Sequence, residues 1–174
     1  TKHTAECVVL TLAANQVGAV CMPVNWRLAP PELEYIVNNG KAKVLMADTA
    51  FVEVARALDC PSVTTYLSTE GSYGGAEGFT DWLSRHDRLS TPYAAQPDDT
   101  ALQLYSSGTT GVPKGVELTH GNLARGILGA IPESVGYHGP PDVMLNVLPT
   151  YHIAGVGIGP VSYTHLTLPT SFLV

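Results

Sequence analysis

Two short apolar runs, Ala101-Leu102-Gln103-Leu104-Tyr105 and Val116-Glu117-Leu118, bracket a stretch built almost wholly from turn formers, Ser106-Ser107-Gly108-Thr109-Thr110-Gly111-Val112-Pro113-Lys114-Gly115. The flanking runs read as strands, so this region must be strand, loop, strand. Glycines at 108, 111 and 115 permit positive φ and close backbone approach. Backbone N–H groups in such a loop can form an anion-binding concavity. The hydroxyls of Ser106, Ser107, Thr109 and Thr110 add donors, and Lys114 adds a full positive charge suited to phosphate oxygens. Val112-Pro113 stiffens the exit. The spacing is not that of the Walker loop, because Gly108 and Gly111 are only three apart and Lys114 is followed by Gly115. On composition alone two readings stand, a phosphate cradle and an ordinary Gly/Ser-rich hairpin loop.

The rest of the chain alternates helix and strand signals. Thr4 to Gly18 is apolar on most faces and reads as a buried helix. Ala19 to Val24 reads as a buried strand. Pro30 and Pro31 precede Glu32 and an apolar stretch that stops at Gly40, which predicts a helix. Lys43 to Ala47 reads as a strand, Thr49 to Leu58 as a helix capped by Thr49, and Pro61 to Leu67 as a third strand. Ser68 to Gly78 reads as a loop, Phe79 to His86 as a short helix and Ser90 to Asp99 as a linker. Thr119 can cap a helix that starts near His120. The alternation predicts an α/β layer.

The 174 residues are 45% hydrophobic and 14% charged, with a net charge of −6, an ordinary globular balance. No basic stripe appears, so the expectation is no nucleic-acid partner. Cys7, Cys21 and Cys60 lie far apart with no CxxC pair, which indicates neither a zinc site nor a disulfide framework. No run approaches the ~18 apolar residues of a membrane span, and no signal peptide is visible, so a cytoplasmic protein is expected. Residue 1 is Thr, and the chain opens straight into an apolar run. Val161 to Thr170 reads VSYTHLTLPT and resembles the translation of a common sequencing-adapter oligonucleotide. The expectation is therefore residues 1–160 as part of an N-terminal domain and 161–174 as a non-native tail.

The segment from Tyr105 to Val116, YSSGTTGVPKGV, resembles the signature loop of the adenylate-forming (AMP-binding) superfamily, which includes acyl-CoA synthetases, aryl-CoA ligases, luciferases and peptide-synthetase adenylation domains. Thr119-His120-Gly121-Asn122-Leu123 matches the family's TH-x-N-L step. Gly18-Ala19-Val20 with Pro23 to Leu28 is similar to its GAV-x-x-PVN-x-RL segment. Leu148 to Gly155 resembles its P-x-[FY]-H-x-x-G motif. The resemblance runs in order over about 1 to 160.

It implies a larger domain of layered sheets flanked by helices, plus a barrel, of which this segment supplies part. It implies that Ser106, Ser107, Gly108, Thr109, Thr110, Gly111 and Lys114 hold the β- and γ-phosphates of MgATP. It also implies that His152 sits near the reacting carboxylate; the plainer reading of His152 is a satisfied core histidine. The implied chemistry is ATP-dependent activation of a small-molecule carboxylic acid, with Lys114 and His152 in the catalytic apparatus and coenzyme A as acceptor. Two alternatives are an adenylate-former with another acceptor and a non-catalytic nucleotide- or acyl-binding module. The resemblance also implies that an amino-acid substrate would be met by an Asp where this chain has Tyr151-His152, as in peptide-synthetase adenylation domains, and no Asp or Glu lies between Val143 and Pro160. An unpaired buried ammonium would cost roughly several kcal/mol, so a plain carboxylate is expected. The family's later Glu, Asp and Lys motifs have no counterpart before Pro160, so this polypeptide alone is expected to be inactive.

Overall fold

The computed structural model describes residues 2, 4–106, 112–128 and 146–157. The expected α/β layer is centred on three parallel strands. β1 (Val44–Ala47) pairs with β2 (Thr65–Ser68), from Val44 opposite Thr65 to Ala47 opposite Ser68. Parallel neighbours need a crossover. Here it is a 3₁₀ turn at Thr49–Phe51 running into α3 (Val52–Ala57). β3 (Glu77–Gly78) adds to the other side of β2, giving the order β1-β2-β3. The middle strand is the most enclosed, with Leu67 and Ser68 at 1% and 0% exposure.

α2 (Pro30–Asn39) forms where two prolines fix φ at its start and Glu32 turns back to accept the Ala29 N–H at 2.9 Å. Its inner face carries Ile36 and Val37, both buried. Val37 packs with Leu58 and Cys60, and Leu33, Leu45 and Val63 close around them. A second cluster, Ala47, Val52 and Ala76, fills the space under α3.

Several expectations shift, each for a local reason. Thr49 does not cap the helix that follows. Its hydroxyl donates to Glu70 at 2.9 Å and lies 3.2 Å from the Ser68 hydroxyl, so the neighbouring loop has claimed it. The third strand starts at Thr65 rather than Pro61, because Val63 N–H closes a turn onto the Cys60 carbonyl at 3.0 Å. The expected loop from Ser68 gives its first residue to β2 and its last two to β3. α4 (Phe79–Ser84) is two residues shorter than read.

The expected strand over 19–24 shrinks to one bridge. Cys21 donates to the Ala101 carbonyl at 3.1 Å and accepts from Gln103 N–H at 2.9 Å, pairing in parallel with Leu102. The next inward donor would be residue 23, which is proline and has none.

α1 (Ala5–Gln16) is capped by Thr4, whose hydroxyl accepts the Cys7 N–H. It is not the buried helix expected. Thr11 is its one buried residue, and Val9 is 46% exposed. A helix apolar on most sides needs cover on more than one, and the described residues cover one. An apolar trough of about 790 Å³ runs along it, bordered by Val20, Met22, Leu45, Trp82 and Tyr151.

β4 (Thr100–Ser106) and β5 (Lys114–Thr119) form an antiparallel hairpin. α5 (His120–Asn122) follows and runs into a wider π-type turn at Leu123–Leu128, and α6 (Ile153–Val156) comes later. Ala101, Leu102, Leu123 and Val156 make the core of this part. Among the described residues no sheet closes on itself, so the barrel implied for the larger domain is not formed here. Residues 158–174, which include the expected tail, lie outside the described residues.

Candidate active site

The hairpin register sets the geometry of the loop. Tyr105 faces Gly115, and Ser106 faces Lys114. Residues 107–113 therefore leave and return through the Ser106–Lys114 pair. Directly opposed side chains in such a ladder have Cβ atoms about 4.5–5.5 Å apart, so the hydroxyl and the ammonium stem share one face. Both residues are exposed. Among the described residues no carboxylate pairs with Lys114. Glu117 lies three residues along β5, and strand alternation sends it to the opposite face. Gly115 has a steric reason: a Cβ there would lie 2.7 Å from Gln103 Nε2 and 3.1 Å from the Tyr105 ring. Of the residues implied as phosphate-binding, Ser107, Gly108, Thr109, Thr110 and Gly111 lie outside the described residues.

His152 stands at the N-terminus of α6 and is exposed, which sets aside the core-histidine reading. Its backbone N–H donates to the Pro149 carbonyl at 3.0 Å, and its carbonyl accepts from Gly155 and Val156 at 2.9 and 3.0 Å. Its Nδ1 accepts the Ala154 N–H at 3.3 Å. A neutral imidazole accepting at Nδ1 carries its proton on Nε2, which leaves Nε2–H as the available donor. Asn146 braces the turn, donating to the Gly155 carbonyl at 2.9 Å. A Cβ on Gly155 would lie 2.0 Å from the Pro149 oxygen. The spacing from Pro149 through His152 to Gly155 is thus what this tight turn requires.

α6 seats on the hairpin: Val156 is in the same core as Ala101 and Leu102, with Ile153 packed against it. The His152 turn therefore rides on the strand that leads into the loop. No hydrogen bond joins His152 to Ser106 or Lys114 among the described residues. Beyond the other end of the hairpin, the Thr119 hydroxyl accepts the Asn122 N–H and Asn122 Oδ1 accepts the Thr119 N–H, each at 3.1 Å. His120 and Gly121 donate to the carbonyls of Asp99 and Pro97 at 3.0 and 2.8 Å.

Two contacts near these residues carry no warning in the sequence. Arg27, stacked on Trp26 at 4.7 Å, reaches the Tyr151 hydroxyl at 3.5 Å. Tyr105 donates to Asn39 at the end of α2. Both join residues distant in the chain, and local pattern cannot report such pairs. Burial pushes the Cys21 and Cys60 thiols up, and neither is a ready nucleophile. Among the described residues no three His, Cys, Asp or Glu side chains converge as a metal site, and no helix is long and apolar enough to cross a membrane.

Comparison with known proteins bears directly on this arrangement. The family model described as AMP-binding enzyme matches residues 1–165. The fatty acid–[acyl-carrier-protein] ligase ScoC of Streptomyces coeruleorubidus is 33% identical over 147 residues, covering 80% of this chain and 26% of ScoC. The 4-coumarate–CoA ligase 3 of Oryza sativa subsp. japonica is 32% identical over 156 residues, covering 87% of this chain and 28% of its own length. ATP-bound MatB from Rhodopseudomonas palustris superposes with a TM-score of 0.79 at 25% identity, over 99% of this chain and 35% of MatB. The chain thus spans little more than a quarter of the two curated relatives, 26% and 28%. The hairpin, its loop-mouth pair and the His152 turn fall inside the matched span, and the chain belongs to the AMP-binding enzyme family.

Proposed function

We propose that this chain supplies the triphosphate grip and the carboxylate-facing histidine of an ATP-dependent acid–thiol ligase. The observation that carries the reading is the Ser106–Lys114 pair, which presents a hydroxyl and an ammonium, with no carboxylate partner among the described residues, at the mouth of a glycine- and hydroxyl-rich loop. A donor set of that kind fits a polyphosphate, and a lone ammonium suits its oxygens as a point charge. Mg²⁺ in this reading arrives with the triphosphate.

A carboxylate is a poor acyl donor because its leaving group would be oxide. In the proposed reaction a carboxylate oxygen forms a bond to the α-phosphorus of ATP, and the bond from that phosphorus to the bridging oxygen breaks. Acyl-adenylate and pyrophosphate result. A thiol then attacks the acyl carbon and expels AMP. Negative charge grows on phosphoryl oxygens in the first step, so placed positive charge and donors supply much of the rate. Lys114 and Ser106 hold the β- and γ-phosphates at the loop mouth, with Ser107, Gly108, Thr109, Thr110 and Gly111 completing the cradle. His152, with its proton on Nε2, donates toward the reacting carboxylate and orients it.

Coenzyme A is the proposed acceptor, in line with the printed name of the rice relative. A carrier-protein thiol is the second reading, favoured by the name of ScoC. The proposed substrate is a plain carboxylic acid, since no acidic residue between Val143 and Pro160 could pair an ammonium. The test is ATP–pyrophosphate exchange by the enzyme that carries this segment. Lys114→Ala should lower the exchange rate by roughly 10²-fold, the scale of losing a charge-stabilising donor. Exchange unchanged in that variant would leave the loop as a structural turn and end the reading.

A further inference from the structure

Asn39 is the last residue of α2, and its side chain meets a strand 66 residues further on. The Tyr105 hydroxyl donates to Asn39 Oδ1 at 2.5 Å, and the Tyr105 hydroxyl oxygen itself accepts from Gln103 Nε2 at 3.4 Å. The Tyr105 ring lies across Gly115, and the next pair toward the loop is Ser106–Lys114. The base of this contact is rigid. Ile36 and Val37 bury the inner face of α2, and Asn38 Nδ2 donates to the Asp59 carbonyl at 2.8 Å.

The hairpin is otherwise held from its far end. Backbone bonds from Cys21, His120 and Gly121 fix the region of Pro97 to Gln103. Among the described residues, no other side-chain hydrogen bond ties residues 104–106 or 114–116 to anything outside the hairpin. An isolated two-stranded ribbon is marginal in water, so its loop end would swing unless something met it.

We infer that Asn39 is a positioning residue for the triphosphate loop, acting through Tyr105 as a strut that sets the loop end of β4, and with it Ser106 and Lys114, against α2. The inference rests on the proposed reading of the loop as a triphosphate grip.

The test has two arms. In the 174-residue chain, amide hydrogen exchange is followed by NMR in the wild type, Asn39→Ala, Asn39→Asp and Tyr105→Phe. Asn39→Ala and Tyr105→Phe should speed exchange across residues 104–106 and 114–116 by roughly three- to tenfold, the size of one lost neutral hydrogen bond. Residues 118–122 should keep their rates. Asn39→Asp keeps the acceptor oxygen and should restore protection. Unchanged exchange at the loop end in Asn39→Ala would overturn the inference. So would faster exchange spread evenly along the chain in both the Ala and the Asp variants, which marks a merely structural role.

The second arm measures KM for ATP in the enzyme that carries this segment. Asn39→Ala should raise it by the same factor with KM for the acid unchanged, and Asn39→Asp should bring it back. If Lys114→Ala weakens ATP and Asn39→Ala does not, the strut fails and the loop reading survives. If Lys114→Ala leaves ATP unaffected, the loop reading fails and takes the positioning role with it.

Discussion

At the scale of single residues, the matched motifs turn out to be geometric requirements as much as chemical ones. Gly155 has no room for a side chain, since a Cβ would meet the Pro149 oxygen at 2.0 Å. Gly155→Ala should therefore destabilise the chain by about 1–3 kcal/mol, the usual cost of forcing extra volume into a packed site. Urea denaturation followed by tryptophan fluorescence measures it, and a midpoint equal to wild type would show that the turn relaxes freely. Gly115 makes the same kind of concession to Gln103 and Tyr105. In the proposed reading His152 combines both roles: its backbone and Nδ1 build the turn, which leaves Nε2 for a ligand. A motif residue can be fixed by the fold and still serve the chemistry.

Among the elements, the clearest local device is the reciprocal cap of α5. Thr119 and Asn122 satisfy each other's backbone donors just beyond β5. Thr119→Ala should cost about 1 kcal/mol, the typical value of an N-cap. Differential scanning calorimetry reads it as a lowered Tm, and Thr119→Ser should recover most of the loss. This cap was legible in the sequence, as were α2 with its paired prolines, β1, and the strand–loop–strand pattern, although Lys114 and Gly115, read as loop, stand in β5 because they pair with Ser106 and Tyr105. In each case the signal is local: a cap, a proline, a glycine or an apolar run. What was not legible depends on partners elsewhere. The apolar run at 19–24 looks like a strand, and nothing within it says that only Cys21 would find a neighbour. Thr49 has the look of a cap, but Glu70, far along the chain, takes its hydroxyl. β3 hides in a glycine-rich stretch because its two residues are recruited by β2 and carry no strand pattern of their own. In the candidate site the motif residues were visible, whereas Asn39 and Arg27 were not, because their contacts join segments far apart in sequence.

At the level of the whole molecule, the trough beside α1 leaves apolar side chains at the surface. Val17 and Val20, both bordering the trough, are 57% and 45% exposed. Contiguous apolar surface of that kind binds hydrophobic dyes and promotes association. The chain under native conditions should therefore enhance the fluorescence of ANS with a blue-shifted emission, and Val17→Lys with Val20→Lys should reduce it. Absence of enhancement would mean that the trough is closed in solution. The hairpin behaves differently, because its loop is strung between the two halves of a single rung, Ser106 and Lys114. Adding or removing a residue above that rung alters the reach of the loop and leaves every strand side chain on its own face. Removing one residue from β5 would instead slip the ladder by one and turn Lys114 to the back. Lys114 is thus indexed to the ladder rather than to the loop, so in the proposed reading the loop can be re-cut for a different guest while the charge stays in place.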